Sequence, residues 1–123
     1  MKKVFCVEDN NEIALLLQLQ LENLGYHLCG VADNTPDAVA GISESKPDIV
    51  LLDIGLNGKP EGLEIGNFLV SETDIPFIYL SGQDSPEILE HARKTLPDGY
   101  LMKPFDHHDL KVALDRAYYK GEA

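Results

Sequence analysis

The chain has almost no cysteine: two in 123 residues, Cys6 and Cys29, both inside apolar stretches and without metal-ligand spacing. A fold of this size held by disulfides or structural zinc needs more thiols, so both are read as reduced core residues. Positive charge is also scarce. Ten Lys and Arg stand against 21 Asp and Glu, a formal net charge of −11 at pH 7. That balance repels nucleic-acid phosphates and anionic headgroups, which argues against direct DNA binding and against membrane association. No run approaches the ~18 apolar residues of a membrane span. The start, Met1-Lys2-Lys3, leads into a short apolar run broken by Glu8, with no signal-type stretch. Repeats, low-complexity tracts and interdomain linkers are absent too. What remains is one globular domain over residues 1–123, expected in the cytoplasm and large enough to bury roughly two thirds of its unfolded surface without covalent staples.

What is present is alternation. Apolar runs of strand length at residues 3–7, 27–31, 48–53, 75–81 and 99–102 are separated by stretches with helical periodicity. The first helix starts near Asn10-Asn11, carries Ile13, Leu16, Leu17, Leu21 and Leu24 at helical spacing, and stops at Gly25. Leu15 and Leu19 form a second apolar edge on it, suited to dimerisation. Asn34-Thr35-Pro36 opens the second helix, which ends before Lys46-Pro47. Residues 55–62, with Asn57-Gly58 and Pro60, read as a loop before a third helix over 63–70. Ser85-Pro86 starts a fourth, running to about Lys94. Asp106 caps the fifth, whose apolar face is Leu110, Ala113, Leu114, Ala117 and Tyr118, with Lys111, Asp115 and Arg116 toward water. Such βα units force parallel pairing through right-handed crossovers. The fold class is therefore α/β, a doubly wound parallel sheet of five βα units, with its functional crevice at the carboxyl ends of the strands.

Glu8-Asp9, Asp53, Ser81 and Lys103 all fall at those ends. Taken singly, each has an ordinary explanation: an aspartate that turns the chain, an acid pair favoured by a helix N-terminus, a Ser-Gly or Lys-Pro turn. Their joint placement on one sheet edge is what points to a site. Three converging carboxylates repel one another and call for a hard divalent cation, for which magnesium fits because it needs few carboxylates and keeps phosphate or water oxygens as its other ligands. Lys103 suits a phosphate oxygen, and the Ser81 hydroxyl and Gly82 amide suit the others. Asp53, single and central, is the candidate nucleophile toward phosphorus.

These residues resemble the receiver domain of two-component response regulators, from Val4 to about Tyr119, in residue type, order and spacing. The resemblance implies a flavodoxin-like (βα)5 sheet of strand order 2-1-3-4-5. It implies Asp53 as phosphoacceptor, with Glu8, Asp9, Asp53 and the Gly55 carbonyl holding magnesium. Ser81, Gly82 and Lys103 would bind the phosphoryl group, and a cis bond would join Lys103 to Pro104. Tyr100 stands where the family's aromatic switch residue works together with the hydroxyl residue, here Ser81, although as a residue it is equally an amphipathic strand edge. A sensor histidine kinase or phosphotransfer protein would be the donor. The fourth helix, fifth strand and fifth helix would form the output face, offering His91, Tyr100, His107, His108, Lys111 and Tyr119. The three histidines show no metal-ligand constellation.

Departures from the commoner pattern are serine at 81, glycine at 82 and a loop from Asp53 to Gly62 one residue longer than in many members. Gly55 and Gln83 occupy positions that tune acyl-phosphate lifetime, and Gly55 has no side chain to do so. Residues 76–82 look like those of single-domain receivers. With no effector domain after Tyr119, the output is expected to be binding to a separate protein, unless the chain is a module of a longer one. The competing reading is a magnesium-dependent phosphohydrolase of the aspartyl-phosphate type. Such enzymes carry a general acid two residues after the nucleophile, where this chain has Gly55.

Overall fold

Ten elements alternate along the chain in a computed structural model that describes residues 2–56, 59, 61–82 and 84–122. They are β1 (Lys2–Val7), α1 (Asn11–Asn23), β2 (Tyr26–Ala32), α2 (Thr35–Ser45), β3 (Ile49–Asp53), α3 (Gly62–Glu72), β4 (Phe77–Ser81), α4 (Pro86–Lys94), β5 (Gly99–Met102) and α5 (His107–Glu122). The five strands form one sheet in the order β2-β1-β3-β4-β5, with every neighbouring pair parallel. Because the chain winds outward from β1 in both directions, a crevice opens between the ends of β1 and β3.

Helix boundaries follow local chemistry. Asn10 caps α1 by accepting from the Glu12 and Ile13 amides, and Gly25 leaves the helix with φ +84°, a left-handed turn that favours glycine. Asn34 accepts from the Asp37 amide at the start of α2, where a proline occupies the first turn. Ser85 does the same for Ile88 in α4. The Asp106 carboxylate accepts from the Asp109 amide at 2.7 Å and so opens α5.

Strand side chains alternate between two cores, one on each face of the sheet. Phe5, Val7, Val50, Leu52, Phe77 and Tyr79 pack with Ala38 and Ile42 of α2, Ile65 and Leu69 of α3, and Ala92 of α4. Val4, Cys6, Ile49, Leu51, Ile78 and Leu80 pack with Leu17 and Leu21 of α1 and with Leu110, Leu114 and Ala117 of α5. Each fully buried aliphatic side chain contributes ~2 kcal/mol, so the sheet is a rigid base for whatever its edge carries.

Four details differ from the periodicity reading. β4 begins at Phe77 and not at residue 75, because the Thr73 hydroxyl accepts from the Ile75 amide and holds that segment in a turn. The register of β1 on β2 slips between Val4 and Phe5, so Cys29 is the extra residue of a bulge and is only half buried. Leu16, grouped with the core stripe, is 55% exposed: α1 buries only the narrow stripe through Leu17 and Leu21. Asp115, grouped with the water-facing side of α5, accepts a 2.8 Å hydrogen bond from the hydroxyl of buried Tyr26. Among the described residues no helix is long and apolar enough to cross a membrane.

Candidate functional site

Backbone hydrogen bonds continue past the strand ends and fix the site residues on the sheet. The Glu8 amide donates to Ala32 O at 3.0 Å, the Ile54 amide to Leu80 O at 3.2 Å, and the Lys103 amide to Ser81 O at 2.7 Å. After Asp53 the chain turns back so tightly that the Gly62 amide donates to Ile54 O. A Cβ at Gly62 would overlap the Asp53 carbonyl oxygen and the Ile54 Cα, so only glycine lets α3 begin directly beneath Asp53. The Lys103–Pro104 peptide bond is cis.

Glu8 and Asp53 are buried, at 2% and 6% exposure, whereas Asp9 faces solvent at the mouth. One carboxylate oxygen from each of the three lies within 4.8 Å of the others, the one such metal-competent group among the described residues. The Lys103 ammonium bridges the two buried acids, donating to Glu8 Oε2 at 3.0 Å and to Asp53 Oδ2 at 3.1 Å. The remaining oxygens accept from backbone: Glu8 Oε1 from the Asn10 amide and Asp53 Oδ1 from the Gly55 amide, both at 3.1 Å.

One ammonium thus bonds two buried carboxylates, with the Asp9 carboxylate close to both. Burial pushes the Glu8 carboxyl up, the charge of Asp53 adds to that, and hydrogen bonds from Lys103 and Asn10 pull it back, leaving it at about 7. Burial disfavours the Lys103 ammonium, but the Glu8 hydrogen bond and the Asp53 charge outweigh it and hold its pKa above the usual lysine value. The deficit of positive charge, in an all-oxygen donor set with one open side, fits a hard divalent cation such as magnesium. Cys6 lies beneath the same acids. Burial, then Glu8 and Asp53, push its thiol far up, so it stays protonated and takes no part in nucleophilic chemistry.

Ser81 is fully buried at the end of β4, and its hydroxyl is already engaged, donating to Asp84 Oδ2 at 2.7 Å. Asp84 escaped the sequence reading. Its one signal was an acid three residues beyond a strand-end serine, in the turn that leads to the Ser85 cap. A Cβ at Gly82 would meet nothing within 4 Å, so this side of the crevice is open. Gly55 is exposed, and Gln83 lies outside the described residues. Tyr100 points outward, 42% exposed, its ring centroid 5.9 Å from that of Tyr79. His91 of α4 and His107, His108, Lys111 and Tyr119 of α5 are all exposed.

A family model described as the response regulator receiver domain matches residues 4–115. The chain is 33% identical over 112 residues to the transcriptional regulatory protein KdpE of Staphylococcus aureus (strain NCTC 8325 / PS 47), an alignment covering 91% of this chain and 48% of that protein. It therefore spans about half the length of this curated relative. Among solved structures, the signal receiver domain of a modulated diguanylate cyclase from Desulfovibrio desulfuricans G20 matches with a TM-score of 0.92 at 34% identity, covering 99% of this chain and 97% of that one. A response regulator receiver domain protein from Clostridium thermocellum, at 22% identity and TM-score 0.90 over 99% and 98% of the two chains, shares the fold.

Proposed function

The chain belongs to the response regulator receiver domain family, and from that premise we propose that Asp53 is the phosphoacceptor of a histidine-to-aspartate relay in the cytoplasm. The donor is a sensor histidine kinase or phosphotransfer protein, and the 123 residues act as one receiver unit. The observation that carries this reading is the Lys103 ammonium shared between Glu8 and Asp53 at the strand ends.

In the transfer, an Asp53 carboxylate oxygen attacks phosphorus, the P–N bond to the donor histidine breaks, and its electron pair returns to the ring nitrogen. Asp53 is held for this by the Gly55 amide and by Lys103. As negative charge moves onto the phosphoryl oxygens, Lys103 can leave Asp53 for the new oxygen without losing Glu8, which anchors the ammonium from the other side. Glu8, Asp9, Asp53 and the Gly55 carbonyl would hold magnesium, which supplies charge neutralisation at the phosphoryl oxygens when bound. The Ser81 hydroxyl and the Gly82 amide would take the remaining oxygens. With Ser81 drawn toward the phosphoryl group, Tyr100 turns inward, and the surface of α4, β5 and α5 changes for a separate protein partner.

Beside Lys103 an apolar groove is lined by Ile13, Leu16, Pro104 and Phe105. A donor histidine that reaches Asp53 brings its own surface over this groove, so the histidine-bearing protein is its expected occupant.

Incubating wild type and Asp53→Asn with acetyl phosphate and magnesium tests the assignment. Label is expected in the wild type and absent from the variant; equal incorporation would overturn it.

A further inference from the structure

Ser81 is the buried hydroxyl nearest the expected phosphoryl space, and its proton is committed elsewhere. The 2.7 Å bond to Asp84 Oδ2 is charge-assisted, hence among the stronger hydrogen bonds of the crevice. The other oxygen of the same carboxylate lies 3.8 Å from the point where a Gly55 side chain would begin. Asp84 therefore spans from the β4 end to the β3–α3 turn, occupying the side of the crevice that Gly55 leaves empty. It is half buried, so its charge is only partly screened by water.

From this geometry we infer that Asp84 is a positioning residue that latches the Ser81 hydroxyl in the unphosphorylated protein. The inference rests on the phosphoacceptor reading above. A phosphoryl oxygen on Asp53 and the Asp84 carboxylate compete for one proton donor. Forming the phosphorylated state exchanges the Ser81–Asp84 bond for a Ser81–phosphoryl bond, and the net gain from the new bond shrinks by the strength of the old one. Asp84 thus lowers the fraction of chains that complete the switch at a given donor level. It does so through a contact made by the resting state alone.

The affinity of the magnesium-loaded protein for beryllofluoride, an acyl-phosphate mimic, measures that equilibrium without turnover. Titration calorimetry on wild type, Asp84→Ala, Asp84→Asn, Ser81→Ala and the Ser81→Ala/Asp84→Ala double variant separates the latch from simple charge. Asp84→Ala is expected to bind at least about tenfold more tightly, the size of one charge-assisted hydrogen bond. Asp84→Asn keeps an acceptor for Ser81 but loses the charge, so its gain should be clearly smaller than that of Asp84→Ala. In the Ser81→Ala background the Asp84→Ala gain should largely vanish, because the competed donor is gone. The latch is overturned if Asp84→Ala binds like wild type, if Asp84→Asn gains as much as Asp84→Ala, or if the gain survives intact without Ser81. Wild type that binds no beryllofluoride while retaining its fold by circular dichroism overturns the phosphoacceptor reading itself, and the latch with it.

Discussion

At the scale of single residues, the site is a problem of charge in a confined space. Asp53 and Glu8 are buried acids that share one lysine, and Glu8 bears the strain of that arrangement as a raised pKa of about 7 against 4.5 in an unfolded chain. Between those two values the folded protein binds a proton that the unfolded chain has lost. Stability contributed by Glu8 therefore falls as pH rises through that window and is at its lowest above about 7. In chelator, Glu8→Gln is expected to be more stable than wild type at pH 8, by ~3 kcal/mol given the size of the shift, which already includes the pull of Lys103. Denaturant midpoints at pH 8 and pH 5 check this, and the difference should close at the lower value. A difference independent of pH would mean that desolvated charge is not the cause. Residue types at the strand ends named this chemistry in advance. What they left out is Asp84, since nothing in a sequence says that a loop acid folds back onto a serine three positions earlier.

At the scale of elements, α1, α2, α4 and α5 were legible from cap and periodicity and α3 from the apolar stretch after its loop, and the errors lie where two elements meet. α1 buries Leu17 and Leu21 but leaves Leu15, Leu16 and Leu19 at 59%, 55% and 54% exposure. Helical spacing gives which residues share a face, not how wide a face the neighbours cover. Exposed leucine at the groove beside Lys103 leads to a prediction about α1. Leu16→Asp should slow phosphoryl transfer from a histidine kinase or phosphotransfer protein at least tenfold while leaving labelling by acetyl phosphate within about twofold, because only the protein donor covers the helix. Equal losses with both donors would place the defect in Asp53 chemistry instead. α5 is tied to the sheet by a contact that joins its third turn to β2: buried Tyr26 donates to Asp115, and the Lys2 ammonium sits 4.7 Å from the Tyr118 ring centroid. Tyr26→Phe removes the hydroxyl without opening a cavity and is expected to lower stability by ~1 kcal/mol, seen as a shifted denaturant midpoint with unchanged m-value.

At the scale of the whole molecule, a net charge of −11 surrounds a crevice whose own acids outnumber its lysine. Cation binding relieves a local deficit and some of the general repulsion together. Magnesium at tenfold excess over its Kd should raise stability by ~1.4 kcal/mol through mass action. The rise should be largely lost in Asp9→Asn and reduced in high salt, with thermal melts as the measure. A melt insensitive to magnesium in the wild type would remove the cation from the site. The amino-acid sequence by itself determined the alternation of strands and helices, the caps of α1, α2, α4 and α5, and the kinds of side chain at the sheet edge. Those properties depend on neighbours a few positions away and on a two- or 3.6-residue period. Only the tertiary structure decided that Lys103 reaches Glu8, 95 positions away, and Asp53, 50 away; that Ser81 gives its proton to Asp84; and how much of α1 stays uncovered. Such pairings are set by sheet order and crossover geometry, through which distant strand ends come within hydrogen-bond reach, and no local pattern encodes which of several acids a shared ammonium will meet.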